Sequence, residues 1–554
     1  MLLKNVTFLT KSINLANDRT QDGSNVITIL TGNNSSGKSR ILQTICSTFI
    51  HYCTNSIDYY SLKDITNLSY LEQLDNLTYT EGDDFYSLSI DTSPVKQTFI
   101  TDNNKSMTFA SKHPYHEATL LESNVLYDKK LIDVFKTDFL NRIKNQKIKF
   151  KPNKNGEICS SIKLPNKILA VTGSPYDKFP FKDSYSCDVM PSLYFYLGSR
   201  GKERTGPGKN KGYLGYKFDQ IGSSFIKLLL KPKREYFDFS KMLEFLNISN
   251  SFTMKLIFRD TFHLTDLNQE RIINLIESAN FCKRKDTIAT TYENKNEHEK
   301  KELSIKILEA IKLIGGEELN KFDAYIKPIN ILYKVDLSKS PSDKRRLDSL
   351  DLLTDYGLIE LEDIIFSKPE KKQNFLLSQA SSGELSLLFT MSSIASVIEN
   401  GSLILIDEPE ISLHPKWQID FLPLLSEIFS NYKSCHFIIA THSPTLISSV
   451  QDNDAYIVSI EDNESILTSS AHYHNRSVDF QLAEVFDSPG NNNEYLLSQV
   501  IETLDKLCKF NEFDDKFLNK ANWLLSFEKK VKNGDKVKTL LDILKKTLQE
   551  FDVK

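Results

Sequence analysis

Four short groups of residues in this chain carry side chains suited to phosphate chemistry. The first is Gly32, Asn33, Asn34, Ser35, Ser36, Gly37, Lys38 and Ser39, with Arg40 next. Two glycines bracketing four small polar residues, closed by Lys-Ser, fit the P-loop pattern G-x-x-x-x-G-K-[ST]. The backbone N–H groups of such a loop converge on an anion, and the helix that follows adds partial positive charge at its N-terminus. Lys38 is placed to reach β- and γ-phosphates, and Ser39 to ligate Mg²⁺. The second group is Asp407, Glu408 and Glu410 in LILIDEPE. The third is Ser381, Ser382 and Gly383 in SSGE, ahead of a long apolar run, where Ser382 or Ser381 could cap a helix and leave N–H groups open to an anion. The fourth is His442, directly after CHFIIAT.

The elements that must position these groups can be read from the same stretches. VITIL, residues 26–30, is a short apolar run that predicts a buried strand, and KSRILQTICSTFI predicts the helix after the loop. LILI, residues 403–406, predicts a second strand that ends on Asp407 and Glu408. Carboxylates at the C-terminal end of a strand sit where an open α/β sheet places its ligands. HFIIA predicts a third strand ending at Thr441 and His442, and KWQIDFLPLLSEIFSN the helix between the two. This is βαβ connectivity and a parallel sheet.

The bulk of the chain bounds the rest. With 554 residues it exceeds one ordinary domain. Hydrophobic residues at 40% and charged residues at 26% give a globular composition. No apolar run reaches the length of a membrane span, and MLLKNVTFLTKSINL lacks the pattern of a secretory leader, so a cytoplasmic location without membrane contact is expected. The seven cysteines are scattered without C-x-x-C, which indicates neither a zinc site nor a disulfide framework. A net charge of −4 means that any nucleic-acid contact must come from a local patch.

Between Lys38 and Gly383 lie more residues than a compact nucleotide-binding head requires. The expected organisation is α/β, a P-loop NTPase head with a mixed or parallel sheet, a helical lobe and insertions. The core is discontinuous, over 1–50, 166–217 and 351–460. Residues 51–165 are expected to be an insertion of short strands and loops, 218–350 a helical lobe, and 461–554 a C-terminal helical region. KILAVTGSPYDKFP and SLYFYLGSRG predict strands returning to the core. No heptad pattern runs long enough for an extended coiled coil.

The order of the P-loop, SSGE, LILIDEPE and His442 resembles the ABC-type ATPase superfamily, and within it the standalone heads related to SMC and OLD-family proteins. The resemblance implies ATP and Mg²⁺ as cofactors, with Asp407 and Ser39 holding the metal. It implies that Glu408 polarises the attacking water and that His442 contacts the γ-phosphate. Ser382 and Gly383 would close on the nucleotide of an opposite subunit, which makes ATP the glue of a homodimer or higher homo-oligomer. ISLHP, residues 411–415, falls where the family's D-loop runs along that interface. The family's Q-loop glutamine is missing from VTGSPYDKFP. Without coiled-coil arms, and without an acidic nuclease cluster after residue 450, the pattern is most similar to the ATPase subunits (PtuA) of Septu and retron-associated antiphage systems. That group implies an HNH nuclease partner of the PtuB kind and, in the retron branch, a reverse transcriptase with its RNA–DNA product. The alternatives are a DNA repair or recombination ATPase of the SMC-like class, and a scaffold that senses ATP with little turnover.

Three further stretches have two readings each. AHYHNRS, with His472, His474 and Asn475, offers nuclease-type side chains but no ββα-metal context, so a solvated turn is preferred. SRGKERTGPGKNKGYLGYK, residues 199–217, carries Arg200, Lys202, Arg204, Lys209, Lys211 and Lys217 against Glu203. It can track a phosphate backbone or stand as a solvated loop. In DKVKTLLDILKKTLQEF a stripe of Val537, Leu540, Leu541, Leu544, Leu548 and Phe551 either packs on the head or docks a partner.

Overall fold

The computed structural model describes residues 1–8, 11–17, 23–32, 36–53, 74–81, 84–91, 96–100, 106–110, 115–122, 164–174, 176–177, 179–180, 193–198, 213–258, 267–277, 296–320, 329–339, 343–369, 373–450, 455–460, 465–509 and 514–550. Its centre is a seven-stranded sheet. The spatial order is Tyr194–Leu197, Ile168–Thr172, Leu403–Asp407, His436–Ala440, Val26–Thr31, Ala455–Ile460 and Ser465–Ser469. Neighbours run parallel except the last pair, which is antiparallel. The register lines up Thr172, Asp407, Ala440 and Leu30 across four strands. The chain therefore leaves all four strands at one edge, where the P-loop, Glu408 and Thr441 begin.

These four strands are largely apolar because both of their faces are covered. Ile29, Leu169, Val171, Ile404, Ile406, Phe437, Ile439 and Ile457 point into one core cluster. Leu30, Ile168, Ala170, Leu403, Leu405, Ile438, Ala440 and Val458 point into another. The first cluster includes the helices Tyr213–Leu230, Ser382–Val397 and Pro415–Ile428. The second includes Ile41, Leu42, Ile45 and Phe49 of the P-loop helix Lys38–Cys53, and Leu3, Val6 and Phe8 of the first strand.

The sequence boundaries shift in three places. Strand Leu2–Phe8 does not enter the central sheet; it pairs antiparallel with Lys11–Asn14 and with Leu74–Glu81. The stretch expected to be an insertion thus shares a five-stranded sheet with the N-terminus. Residues 218–350 are helical in large part but also supply Ser251–Phe258 and Asn330–Asp336, which join Ile359–Lys368 and Gln373–Leu376 in an antiparallel sheet. The alternating burial of SFTMKLIF is the period-2 signature of that strand, set inside a helix-rich stretch. Ser465–Ser469, placed by sequence in the C-terminal helical region, extends the central sheet instead.

The C-terminal helices Glu494–Lys509, Asp515–Ser526 and Lys536–Glu550 enclose their own apolar cluster. Val537, Leu541, Leu544 and Leu548 are buried in it and Leu540 packs against it, so this stripe is core and not a free docking face. Phe551 lies outside the described residues. Among the described residues no helix is long and apolar enough to cross a membrane.

Candidate functional site

Strand Val26–Thr31 delivers the chain to Gly32 at φ +142°, a conformation that L side chains rarely adopt. A Cβ there would stand 2.5 Å from the Ile460 carbonyl oxygen, so the tight entry to the loop admits only glycine. Gly37, at φ +95°, turns the chain into the helix. Ser36 is half-buried and Arg40 is exposed; Asn33, Asn34 and Ser35 lie outside the described residues.

Lys38 is the first helical residue and is only 4% exposed. Its ammonium arches back over the loop and donates to the Gly32 carbonyl at 2.9 Å and to Ser36 Oγ at 3.2 Å. Burial pushes Lys38 down to about 8, against the pull of Asp407, Glu408 and Glu410, which favours the charge. Next to it, Ser39 Oγ donates to Asp407 Oδ1 at 2.9 Å. A residue of the P-loop and one from the far end of the chain thus meet at the strand ends.

Asp407 is buried, and desolvation pushes its carboxyl up to about 7. The Ser39 hydrogen bond opposes that shift, while Glu408, Asp177 and Glu410 add to it. A hydroxyl and a carboxylate oxygen converging in this way are ligand types that Mg²⁺ takes.

Glu408 sits at φ +51°, an uncommon left-handed backbone for this residue type. Its N–H donates to the Ala440 carbonyl at 2.9 Å, and its carbonyl accepts from Ile411 at 3.2 Å. These bonds pin the turn that carries it. Glu410 Oε1 accepts the His442 backbone N–H at 2.7 Å. Its carboxyl is raised chiefly by burial. The half-buried His442 ring is lowered by burial and by the Lys38 charge, both of which disfavour its charged form.

Ser381, not Ser382, caps the helix Ser382–Val397. It forms a reciprocal box with Glu384, with Ser381 N to Glu384 Oε2 at 2.8 Å and Glu384 N to Ser381 Oγ at 3.3 Å. Ser382 is exposed on the first turn, while Gly383 is buried. The nearest neighbours of a Cβ at Gly383 would be the Trp417 ring at 2.8 Å and the Ser412 carbonyl oxygen at 3.1 Å. This half of the expected site therefore rests on the turn after Glu410. Lys38, Ser39, Asp407, Glu408, Glu410 and His442 form the other half.

Two residues of the site were not singled out from sequence. Asp177 lies in VTGSPYDKFP, where a glutamine is missing. It is buried, accepts from Tyr196 Oη at 2.6 Å and from Phe179 N at 3.0 Å, and adds its charge to the field at Asp407. Gln418 lies one turn into the helix after ISLHP and bonds the loop of His442. An isolated acid and a glutamine carry no periodic signal; only the fold brings them to the site.

The described residues of the other candidate stretches are tied into the fold. His474 bonds the Val450 carbonyl at 2.6 Å and the Asn475 side chain at 2.8 Å, and Asn475 N–H donates to the Ser448 carbonyl. His472 packs on Tyr473 and Phe480. AHYHNRS is a turn tied to the end of the central sheet. Lys217, counted in the basic loop, is buried with its ammonium 5.2 Å from the Phe389 ring centroid and does not belong to a surface patch. Arg200, Lys202, Arg204, Lys209 and Lys211 lie outside the described residues.

Residues 227–448 match the family described as "AAA domain, putative AbiEii toxin, Type IV TA system". That span holds SSGE, LILIDEPE and His442 but not the P-loop. A stretch of 154 residues is 33% identical to "Retron Vc95 probable ATPase" of Vibrio cholerae serotype O1 biovar El Tor, covering 25% of this chain and 29% of that protein. A stretch of 157 residues is 30% identical to "Protein ea59" of Escherichia phage lambda, covering 26% of this chain and 30% of that protein. Each match spans less than a third of the relative. Among solved structures, the SMC head domain from Thermotoga maritima aligns with 85% of this chain and 99% of its own at 10% identity and a TM-score of 0.26, too low a likeness to add to the strand order. The chain thus carries a P-loop at the end of a parallel strand, matches that family over residues 227–448, and is similar over a quarter of its length to a probable ATPase of a retron.

Proposed function

We propose that this chain binds and hydrolyses ATP, dimerises through the nucleotide, and uses that cycle to regulate a partner nuclease in antiphage defence of the Septu or retron type. The observation that carries this reading is the convergence of Lys38, Ser39 and Asp407 at the ends of the two parallel strands that flank strand His436–Ala440. Lys38 and the loop N–H groups take the β- and γ-phosphates. Ser39 and Asp407 would hold Mg²⁺, which when bound offsets phosphate charge. Glu408 orients and deprotonates the attacking water, and His442 hydrogen-bonds the γ-phosphate. Ser382 is exposed on the first turn of its helix, where it is available to a nucleotide carried by a second copy, and the buried Gly383 lets that turn lie close against Ser412 and Trp417. The retron relatives support a defence setting. Partners of that setting are an HNH nuclease and, in a retron, a reverse transcriptase with its RNA–DNA product.

The test is direct. The purified chain should bind and hydrolyse ATP, and Lys38→Ala should abolish binding; unchanged affinity in that variant would sink the site assignment. Mixing Lys38→Ala with Ser382→Arg tests the dimer. Each variant should be inactive alone, and a mixed dimer holds one site without either lesion. Activity that returns on mixing supports action in trans; none, with subunits shown to exchange, argues against it.

A further inference from the structure

Gln418 projects from the helix Pro415–Ile428, immediately after the turn that carries Glu410. Its Nε2 donates to the Leu413 carbonyl at 3.1 Å. A carbonyl only accepts, so this contact fixes the amide with Oε1 pointing the other way. Oε1 meets Ser443 Oγ at 2.7 Å and Thr445 Oγ1 at 2.6 Å, and the two hydroxyls stand 2.6 Å from each other. Ser443 also caps the short helix Pro444–Ser448 through Leu446 N at 3.2 Å. The loop after strand His436–Ala440 is thereby fastened at His442 and just after it: the His442 N–H goes to Glu410 Oε1, and the Ser443 and Thr445 hydroxyls go to Gln418. Both fasteners belong to residues 410–418.

The same residues are wedged from the opposite side by the helix that begins at Ser382. Gly383 packs against Ser412 and Trp417, and Ser386 Oγ donates to the Ile411 carbonyl at 3.4 Å. One short segment thus touches both the element that faces a second copy and the loop that faces the chain's own nucleotide. Closely packed protein does not deform continuously, so a displacement on one side is passed to the other.

We infer that Gln418 is a positioning residue for ATP hydrolysis: it locks His442 to the turn at 410–414, so that docking of a second copy against that turn sets where His442 stands. This rests on the proposed ATPase reading. Gln418 touches no reacting atom, and its effect passes through His442. Its loss should therefore lower kcat and leave nucleotide affinity intact.

The experiment uses the full chain and measures kcat, KM and equilibrium ATP affinity for the parent, Gln418→Met, Thr445→Val and the double variant. Methionine keeps the length of glutamine without its hydrogen bonds. Gln418→Met should lose roughly tenfold or more in kcat, the size of effect expected when a reacting group is misplaced, with ATP affinity within about twofold of the parent. Thr445→Val removes one donor from the same clamp, so its effect should not add to that of Gln418→Met. Parental kcat in a folded Gln418→Met chain, a loss confined to KM, or full additivity would each overturn the inference. If Gln418→Met fails to fold, Thr445→Val alone decides it, and unchanged kcat there overturns it. A parent that does not hydrolyse ATP defeats the functional reading itself; an active parent with an equally active Gln418→Met defeats only this inference.

Discussion

His436 lies on the strand between the P-loop strand and the strand of Asp407, at the end of the sheet away from the site. It is fully buried, and its hydrogen bonds define its state. Leu3 N–H donates to Nδ1 at 3.1 Å, so Nδ1 carries no proton. Thr28 Oγ1 donates to the Leu15 carbonyl at 2.6 Å, so at 2.8 Å the Nε2–H donates to Thr28 Oγ1. Protonation would set N–H against N–H at Leu3. Burial first, then the N-terminal ammonium and Lys4, push the imidazole from 6.5 down to about 3. The folded value is the lower one, so the unfolded chain binds the proton more tightly. The stabilisation is whole above 6.5 and is lost as the pH falls toward 3. At pH 5 the native ring is still neutral while the exposed ring is charged, which costs the sheet about 2 kcal/mol relative to pH 7.5. Amide hydrogen exchange in strands Val26–Thr31 and His436–Ala440, corrected for intrinsic rates, measures this opening without treating the chain as two-state. Between pH 7.5 and 5 the parent should lose about 2 kcal/mol more than His436→Gln, which has no group to titrate there. Equal pH dependence in both proteins would refute the neutral, locked imidazole.

Glu408→Gln keeps size and polarity but cannot take a proton, so hydrolysis should fall by about 10² or more while ATP still binds and dimers accumulate; parental turnover would remove Glu408 from the mechanism. Gly383→Ala places a Cβ 2.8 Å from the Trp417 ring and 3.1 Å from the Ser412 carbonyl. Over-packing of this kind costs about 1–3 kcal/mol, and because the strain falls on the turn at 410–414, ATPase activity should drop with nucleotide affinity retained; equal activity would show that the turn yields freely. The purified chain alone, with Mg²⁺ or Mn²⁺ and with or without ATP, should leave DNA and RNA intact and gain nuclease activity only with a second protein. Metal-dependent cleavage that copurifies with the chain and vanishes in His474→Ala would overturn the two-protein reading.

What was legible in the sequence was local. A run of five or six apolar residues ending in a chemically distinctive group, such as VITILTG or LILIDE, announces both a buried strand and what its end must do, because strand and ligand site are contiguous in the chain. A helix cap at Ser382 or Ser381 was likewise open to the sequence, and the structure settles it on Ser381 with Glu384 as its reciprocal partner. What stayed hidden depends on tertiary pairing. SFTMKLIF alternates over eight residues, yet its neighbours are helical and its partner strands lie far along the chain. Strand Leu2–Phe8 reads as well for one sheet as for another until Leu74–Glu81 is set beside it.

The division between legible and hidden falls inside the site itself. Lys38, Ser39, Asp407, Glu408 and His442 are types that touch phosphate, metal or water, and their chemistry constrains them one residue at a time. Glu410, visible in LILIDEPE but without a role there, and the hidden Gln418 and Asp177 touch other protein groups: a backbone N–H, two hydroxyls and a tyrosine. Any acceptor of the right reach would satisfy those partners, so residue type alone says little about them. Their contribution is to hold the first set where its chemistry works, and a reacting group misplaced by an ångström can cost about 10² in rate. The 2.7 Å bond from His442 N to Glu410 couples the turn after the strand of Asp407 to the loop that follows strand His436–Ala440. The Gln418 clamp repeats that coupling one turn later. Two independent ties between the same two segments imply that their relative position matters more than either tie alone, and that is why loss of Gln418 should register in kcat rather than in affinity.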